Sequence, residues 1–347
     1  MASSRRRALA LIAAVLIVAA ATATALLVRS GDEQSQTTPP TTPPPVPLLP
    51  LLGTPGEVPQ RAALGVKIDN TEPGRPQTGL AEADMVFEEM VEGGLTRLLV
   101  VFHSQDPESL GPVRSARSSD LFILAELGRP LFAWSGANPT FAAAVEAADL
   151  VDVGVGATPD GYRREPDRPA PYNLYAASDL LREAVADDDS ASIPPPAIFS
   201  YRAAGTALAG PGVEPVTGFR TKGSGALSIE IAWEWDAASA SWLRDQDGTP
   251  HVDRDGERVR AANVIVRITS YRDSGVRDSV GAVVPEAEAI GEGDAWLLSD
   301  GQVQRGRWLK PSPDAPTAYV DTTGAPLRLT PGQTWVEVLP PGAGDVV

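Results

Sequence analysis

Residues Ala8 to Val28 read ALALIAAVLIVAAATATALLV, 21 residues without a charged side chain. At about 1.5 Å per residue, a helix of that length is about 31 Å long, enough to cross the hydrocarbon core of a bilayer. Arg5, Arg6 and Arg7 precede the segment, and Asp32 and Glu33 follow it. The excess of cationic residues on the N-terminal side predicts a cytoplasmic N-terminus, with everything downstream on the outer face. Residues 1–29 thus read as a signal-anchor that places the chain in the cell membrane as a single-pass protein. The small residues Ala21-Thr22-Ala23 or Ala23-Thr24-Ala25 offer cleavage positions, and cleavage would instead release a secreted body. Leu26-Leu27-Val28 extends the apolar run past those positions and favours the uncleaved anchor.

Residues 30–59 form the expected linker, with Thr-Thr-Pro-Pro repeats and Pro-Leu steps between Thr37 and Pro59. Such composition favours polyproline II and builds no core, so Thr37 to Pro59 could extend about 70 Å at about 3.1 Å per residue.

The chain of 347 residues carries 29 basic and 45 acidic side chains, a net charge of −16. Four of the arginines precede residue 30, so 25 basic residues face the same 45 acidic ones beyond the leader, a net of −20. With no lysine-rich or arginine-rich run in the body, nucleic acid is excluded as an expected partner. Cysteine is absent, which removes thiol catalysis, thiolate metal sites and disulfides. His103 and His251 are the two histidines, too few for a multi-histidine zinc site within one chain. A metal site built from oxygen ligands remains open, and no particular metal or cofactor is expected from these counts.

The body has two textures. Over residues 60–205 strands and helices alternate. Leu64 to Ile68 reads as a buried strand, and Met85 to Val91 with Thr96 to Ser104 reads as a hairpin around Gly93-Gly94. Ser115 to Leu127 has apolar residues at helical spacing, and Asn138-Pro139 opens a second helix with Asn138 as N-cap. Ser178 is the expected cap of a third, and Leu131 to Ser135 and Leu150 to Val155 read as strands. This is an α/β pattern.

Over residues 206–340 the pattern becomes β. Leu227 to Trp235 alternates large apolar and polar residues, and Asp247-Gly248, Asp255-Gly256 and Asp300-Gly301 are turn dipeptides. Strands are expected at Asn263 to Thr269, Ala295 to Ser299, Gln302 to Trp308 and Trp335 to Val338. The fold class is therefore α+β, an N-terminal α/β domain plus a C-terminal, mainly antiparallel β domain, behind a membrane helix and a Pro/Thr-rich linker.

Several strings together carry a family resemblance: GVKIDN (Gly65 to Asn70), RPQTGL (Arg75 to Leu80), VEGGLTR (Val91 to Arg97), GPVRSAR (Gly111 to Arg117), YNLY (Tyr172 to Tyr175) and PGQTWVEVLP (Pro331 to Pro340). Across roughly residues 60 to 340 the chain resembles the YerB-type lipoprotein family of Gram-positive bacteria, a two-part domain of unknown function. The resemblance implies an exported, N-terminally anchored envelope protein with two subdomains, and it implies no reaction, substrate or catalytic residue. Lipoprotein members attach through a lipidated cysteine, which this chain lacks. The Ala8 to Val28 segment is the expected replacement.

The sharpest local feature is Gly111 to Ser119, a turn running into a helix, with Arg114, Ser115 and Arg117. Backbone amides and guanidinium groups there favour an anion such as phosphate or carboxylate. Asp69 and Asn70 end the first strand, Arg75 follows in the loop, and Glu88, Glu92 and Arg97 belong to the hairpin. If the first strand joins a parallel sheet, these groups gather beyond its carboxyl end, where ligands of α/β folds bind. The plainer reading makes Ser115 or Ser118 an N-cap and leaves the arginines in surface ion pairs. His251 and Asp253, two apart in the β region, form a secondary candidate, a metal half-site or acid/base pair against a structural hairpin histidine.

The preferred expectation is a non-catalytic, membrane-tethered envelope protein that binds an anionic ligand or an envelope partner, such as a wall polymer. Two alternatives stand beside it. One is a wall-directed hydrolase or transferase using carboxylates among Asp69, Glu88 and Glu92, with His251 and Asp253. The other is a scaffold for envelope proteins.

Overall fold

The computed structural model describes residues 46–222, 226–278 and 281–347. The expected membrane segment, Ala8 to Val28, and the linker up to Pro45 lie outside the described residues. Among the described residues, no helix is long and apolar enough to cross a membrane.

The body is strand-rich with few helices, and a central sheet of 11 strands runs through both textures. In its first part, β1 (Leu64–Asp69), β2 (Met85–Met90), β3 (Thr96–Phe102), β4 (Leu131–Ala133) and β5 (Val151–Asp152) lie in the order β2-β3-β1-β4-β5. β2, β3 and β1 pair antiparallel, while β1, β4 and β5 run parallel. The β2–β3 turn is made by Gly93 and Gly94, with φ of 69° and 73°, angles that glycine adopts without steric penalty.

On the other side of β2 the sheet continues with the strand Thr334–Leu339, then Asn263–Ile268, Gly291–Ser299, Gln302–Lys310 and Ala318–Asp321. Thr334–Leu339 is parallel to both neighbours, so the second region is less uniformly antiparallel than its hairpin signals predict. The last long strand of the chain thereby inserts beside β2. The two textures are two parts of one sheet, and Val46–Val347 forms one compact unit.

A second sheet of six strands, centred on Ile231–Asp236 and Ser241–Gln246, covers one face of the first. Between them Val66, Ile68, Val86, Leu98 and Val100 meet Trp233, Trp242 and Trp335. The alternation from Leu227 to Trp233 correctly marks the buried side, although the regular strand starts only at Ile231. On the opposite face Phe87, Leu99, Val101 and Phe132 pack under Ile123 and Leu124 of the short helix Ser118–Leu124. Each fully buried side chain of this size stabilises the fold by roughly 1.5–3 kcal/mol.

Three local expectations are revised. The body begins before residue 60: Leu51 is buried, the Leu51 carbonyl accepts from the Tyr201 hydroxyl at 2.5 Å, and the Leu52 carbonyl accepts from Gly332 N at 2.8 Å. Apolar Leu residues among the prolines anchor what composition alone reads as a free spacer. The helix Ser118–Leu124 starts three residues later than expected, with Arg117 as its N-cap. Ser178 is not a cap. It is the first residue of the helix Ser178–Glu183, and its hydroxyl donates to the Pro107 carbonyl at 2.5 Å. Asn138 does cap the helix Pro139–Ala147, accepting from Thr140 N at 2.9 Å.

Candidate functional site

The segment from Gly111 to Arg117 runs beside the carboxyl end of β1. Pro112 O accepts from Asp69 N at 2.9 Å, and Arg114 N donates to Lys67 O at 2.8 Å. It is also tied to the loop after β4, through Ser135 N to Arg114 O at 3.0 Å and Ala116 N to Gly136 O at 3.1 Å. The carboxyl ends of the parallel strands β1 and β4 and the β2–β3 turn thereby enclose a cleft of about 590 Å³. Its floor carries Arg97, Arg114, Ser115, Arg117 and Glu92.

Pairing explains the arrangement of the floor. Asp69, Glu89 and Arg97 sit opposite one another on β1, β2 and β3, so all three project to the face that holds the cleft. Asp69 is buried, with Oδ2 2.6 Å from Arg114 Nε, and Arg114 stacks over the Tyr172 ring at 5.5 Å. Arg117 Nη2 donates to Glu92 Oε1 at 2.5 Å, and Arg97 Nη2 lies 3.9 Å from Glu92 Oε2. Arg97 and Arg117 are each more than nine-tenths buried, and the Nε of both has no hydrogen-bond partner. Arg97 is pushed down to about 10, first by burial and then by the charges of Arg117 and Arg114. Three guanidinium groups thus share the floor with two carboxylates, in a body that is otherwise strongly acidic.

Beneath the floor lies a buried triad that sequence reading missed. Lys67 Nζ is 2.9 Å from Glu89 Oε2 and 2.5 Å from Asp120 Oδ1. Asp120 Oδ2 accepts from Arg117 N at 2.7 Å, which fixes the backbone beside the guanidinium. Burial, helped by the charge of Glu89, pushes Asp120 up to about 7 against the pull of Lys67. Glu89 moves down despite burial, because Lys67 and hydrogen bonds from Asp120 and Ser119 favour its ionised form. The signal was present in the sequence: a lysine within the apolar string LGVKI demands a buried counter-charge.

The other expected residues go elsewhere. Arg75 pairs with Asp247 at 3.1 Å, away from the cleft. Asn70 and Glu88 face the opposite side of the sheet, where Asn70 Nδ2 and Thr96 Oγ1 donate to Glu88 Oε1 at 2.8 and 2.6 Å. Arg244 donates to both oxygens of Glu88, at 2.9 and 2.8 Å, with both side chains fully buried.

His251 belongs to this second network. Its Nδ1 accepts from Arg244 at 2.7 Å, so its Nε2 proton donates to Gln77 Oε1 at 2.8 Å. Burial and the charge of Arg244 hold it well below its ordinary value, hence neutral. Asp253 binds turn amides, accepting from Asp255 N at 3.0 Å and Glu257 N at 2.9 Å, and it lines a separate depression of about 220 Å³. The alternation that set His251 and Asp253 on one face did not bring them into one site. The carboxylates of an acid/base reading are likewise divided between the two faces of the sheet. Among the described residues there is no group of three or more His, Asp or Glu arranged to hold a metal ion.

The family described as a protein of unknown function (DUF3048) matches twice, its N-terminal domain over residues 51–191 and its C-terminal domain over residues 225–336. The chain belongs to this family. It is 29% identical over 309 residues to "Putative lipoprotein YerB" of Bacillus subtilis (strain 168), an alignment that takes in 84% of this chain and 86% of that one. The crystal structure of YerB from Bacillus subtilis superposes with a TM-score of 0.73 at 24% identity, covering 87% of this chain and 99% of the other. That likeness establishes a shared fold. The two family segments meet in the central sheet, where β2 of the first pairs with Thr334–Leu339 at the end of the second.

Proposed function

We propose that this chain is an extracytoplasmic, membrane-tethered envelope protein that binds an anionic ligand in the arginine-floored cleft. The observation that carries this reading is the convergence of Arg97, Arg114 and Arg117 in one cleft, with two buried Nε groups lacking acceptors. Like charges brought together under burial raise the free energy of the empty site, and a bound anion relieves it. The helix Ser118–Leu124 is only seven residues long, so the guanidinium groups, rather than its dipole, supply the attraction. Placement outside the cytoplasm is supported by Arg5 to Arg7 ahead of Ala8 to Val28, and by the lipoprotein description of the Bacillus relative.

Calorimetric titration of inorganic phosphate and sulfate into the full chain, held in lipid nanodiscs, tests the site. Binding that Arg97→Gln and Arg117→Gln each weaken by tenfold or more is expected, with circular dichroism unchanged. Affinity for both anions that neither substitution alters would refute it. A reporter fused behind Val347 tests the topology, and activity on the cytoplasmic side would overturn the envelope placement.

A further inference from the structure

Besides the floor, the lining holds Asn138, Arg277 and Asp278, and an apolar wall completes it. This wall comes from the loop and helix after β4, with Ala137, Pro139 and Phe141, from Pro171, and from Val284 on the hairpin Tyr271–Arg277 and Val283–Ala287. Phe141 and Val284 are 5% and 2% exposed, yet neither belongs to the two main apolar cores. Both line the cleft. A small inorganic anion needs only the floor and leaves most of the 590 Å³ unused, whereas clefts of roughly 300–1,000 Å³ suit organic ligands that combine a few polar contacts with apolar area.

We infer that the ligand is an organic phosphate ester, its phosphoryl group on the floor and its ester body against Phe141 and Val284. This rests on the anion-binding reading above and narrows it. The donors favour phosphoryl over carboxylate. Arg97 comes from β3, and Arg114 and Arg117 come from the strap beside β1, so guanidinium groups reach the floor from two segments. A phosphoryl group offers three acceptor oxygens directed to different sides, while a carboxylate offers two in one plane. The ionic partners already present, Glu92 and Asp69, occupy only part of the donor set of the three guanidinium groups. Arg277, also in the lining, is held by Asp273 at 2.9 and 3.0 Å, so its charge is already balanced, unlike the crowded charges of the floor.

The test compares inorganic phosphate, phenyl phosphate, hexyl phosphate and benzoate by calorimetry on the full chain in nanodiscs. Phenyl or hexyl phosphate should bind at least about tenfold tighter than inorganic phosphate, the gain from removing roughly 55 Å² of apolar ligand surface from water. Whichever of the two binds more tightly identifies a ring-bearing or chain-bearing ester as the natural class. Phenyl phosphate should also exceed benzoate about tenfold. Phe141→Ala and, separately, Val284→Ala should abolish the advantage of the esters while leaving inorganic phosphate unchanged. The comparison of ligands on the unaltered protein stands even if a substitution impairs folding. Equal affinity for inorganic phosphate and both esters would overturn this inference and leave the anion site standing, and benzoate matching phenyl phosphate would overturn the phosphoryl assignment. Failure of every anion to bind would instead remove the reading on which it rests.

Discussion

Replacing Arg244 with leucine should destabilise the protein by about 3–5 kcal/mol, the range for breaking a buried ion pair from one side. Both partners are fully buried. In the native structure each Glu88 oxygen accepts from Arg244 Nη2, and Oε1 also accepts from Asn70 and Thr96. Arg244→Leu therefore leaves the buried Glu88 without the cation that balances it, beside Glu337 on the neighbouring strand. The Coulomb attraction alone gives about 4 kcal/mol for unit charges near 4 Å at an effective dielectric of about 20, consistent with the mutational range. Stacking of the guanidinium on Trp335, at 5.3 Å, adds a smaller contribution. The assay is equilibrium urea unfolding followed by tryptophan fluorescence, for Arg244→Leu, Glu88→Leu and the double variant. The double variant should recover at least about 2 kcal/mol relative to the sum of the singles, because it removes the stranded charge along with its partner. A loss below about 1 kcal/mol for Arg244→Leu, or strict additivity, would refute the claim that the buried Glu88 depends on Arg244 to balance its charge.

Three further outcomes follow from the same geometry. Because Asp120 titrates near 7 in the fold against an ordinary 3.8, the native state binds the extra proton, so this group's contribution to stability is full below pH 4 and is lost as pH rises through 7. Asp120→Asn should flatten that decline in urea titrations between pH 4 and 8, whereas Glu89→Gln, which removes the charge facing Lys67, should cost about 3 kcal/mol at pH 7. Arg97→Met should change stability by less than about 1 kcal/mol, since it removes a repelled charge with one long hydrogen bond, 3.3 Å to Ser115 O, yet it should abolish any thermal shift produced by phosphate. Deletion of residues 331–347 should prevent folding of the whole body, because it takes away the strand between β2 and Asn263–Ile268; a native circular dichroism spectrum after the deletion would contradict one cooperative sheet.

Much of the site was legible because its chemistry is local in sequence. GPVRSAR and VEGGLTR each carry arginines within a few residues of a glycine turn, and strand pairing then brings the two strings together. The second wall was not legible, since Phe141 and Val284 approach through tertiary packing across more than 140 positions and neither stands out from its local pattern. The same limit explains His251. Alternation says that it faces inward, and only the three-dimensional structure says that Arg244 and Gln77 wait there. The order of strands was hidden for a related reason: β2 and Thr334–Leu339 are both apolar enough for central strands, but nothing in either string names the other as its neighbour.

The consecutive glutamates of β2 show why the cleft is held where it is. A central strand reading MVFEEM is a poor choice on apolar grounds alone, since both carboxylates are buried. Alternation sends Glu88 to one face and Glu89 to the other. The first is satisfied by Arg244 from the covering sheet, the second by Lys67 from β1. An apolar strand could slide by two residues and still bury its hydrophobic side, but here such a slip would take both carboxylates away from their buried cations. The register of β2 is thereby tied to both of its faces at once. Glu92 follows two residues past the end of that strand, against Arg117, and the Val283–Ala287 strand packs close to β2 and its turn. The floor, from Glu92 to Arg117, and Val284 of the apolar wall are far apart in the chain, and β2 with its turn lies against the strand that carries Val284. Under the proposed reading, donors held in this way are in position before a ligand arrives, which lowers the ordering cost of binding.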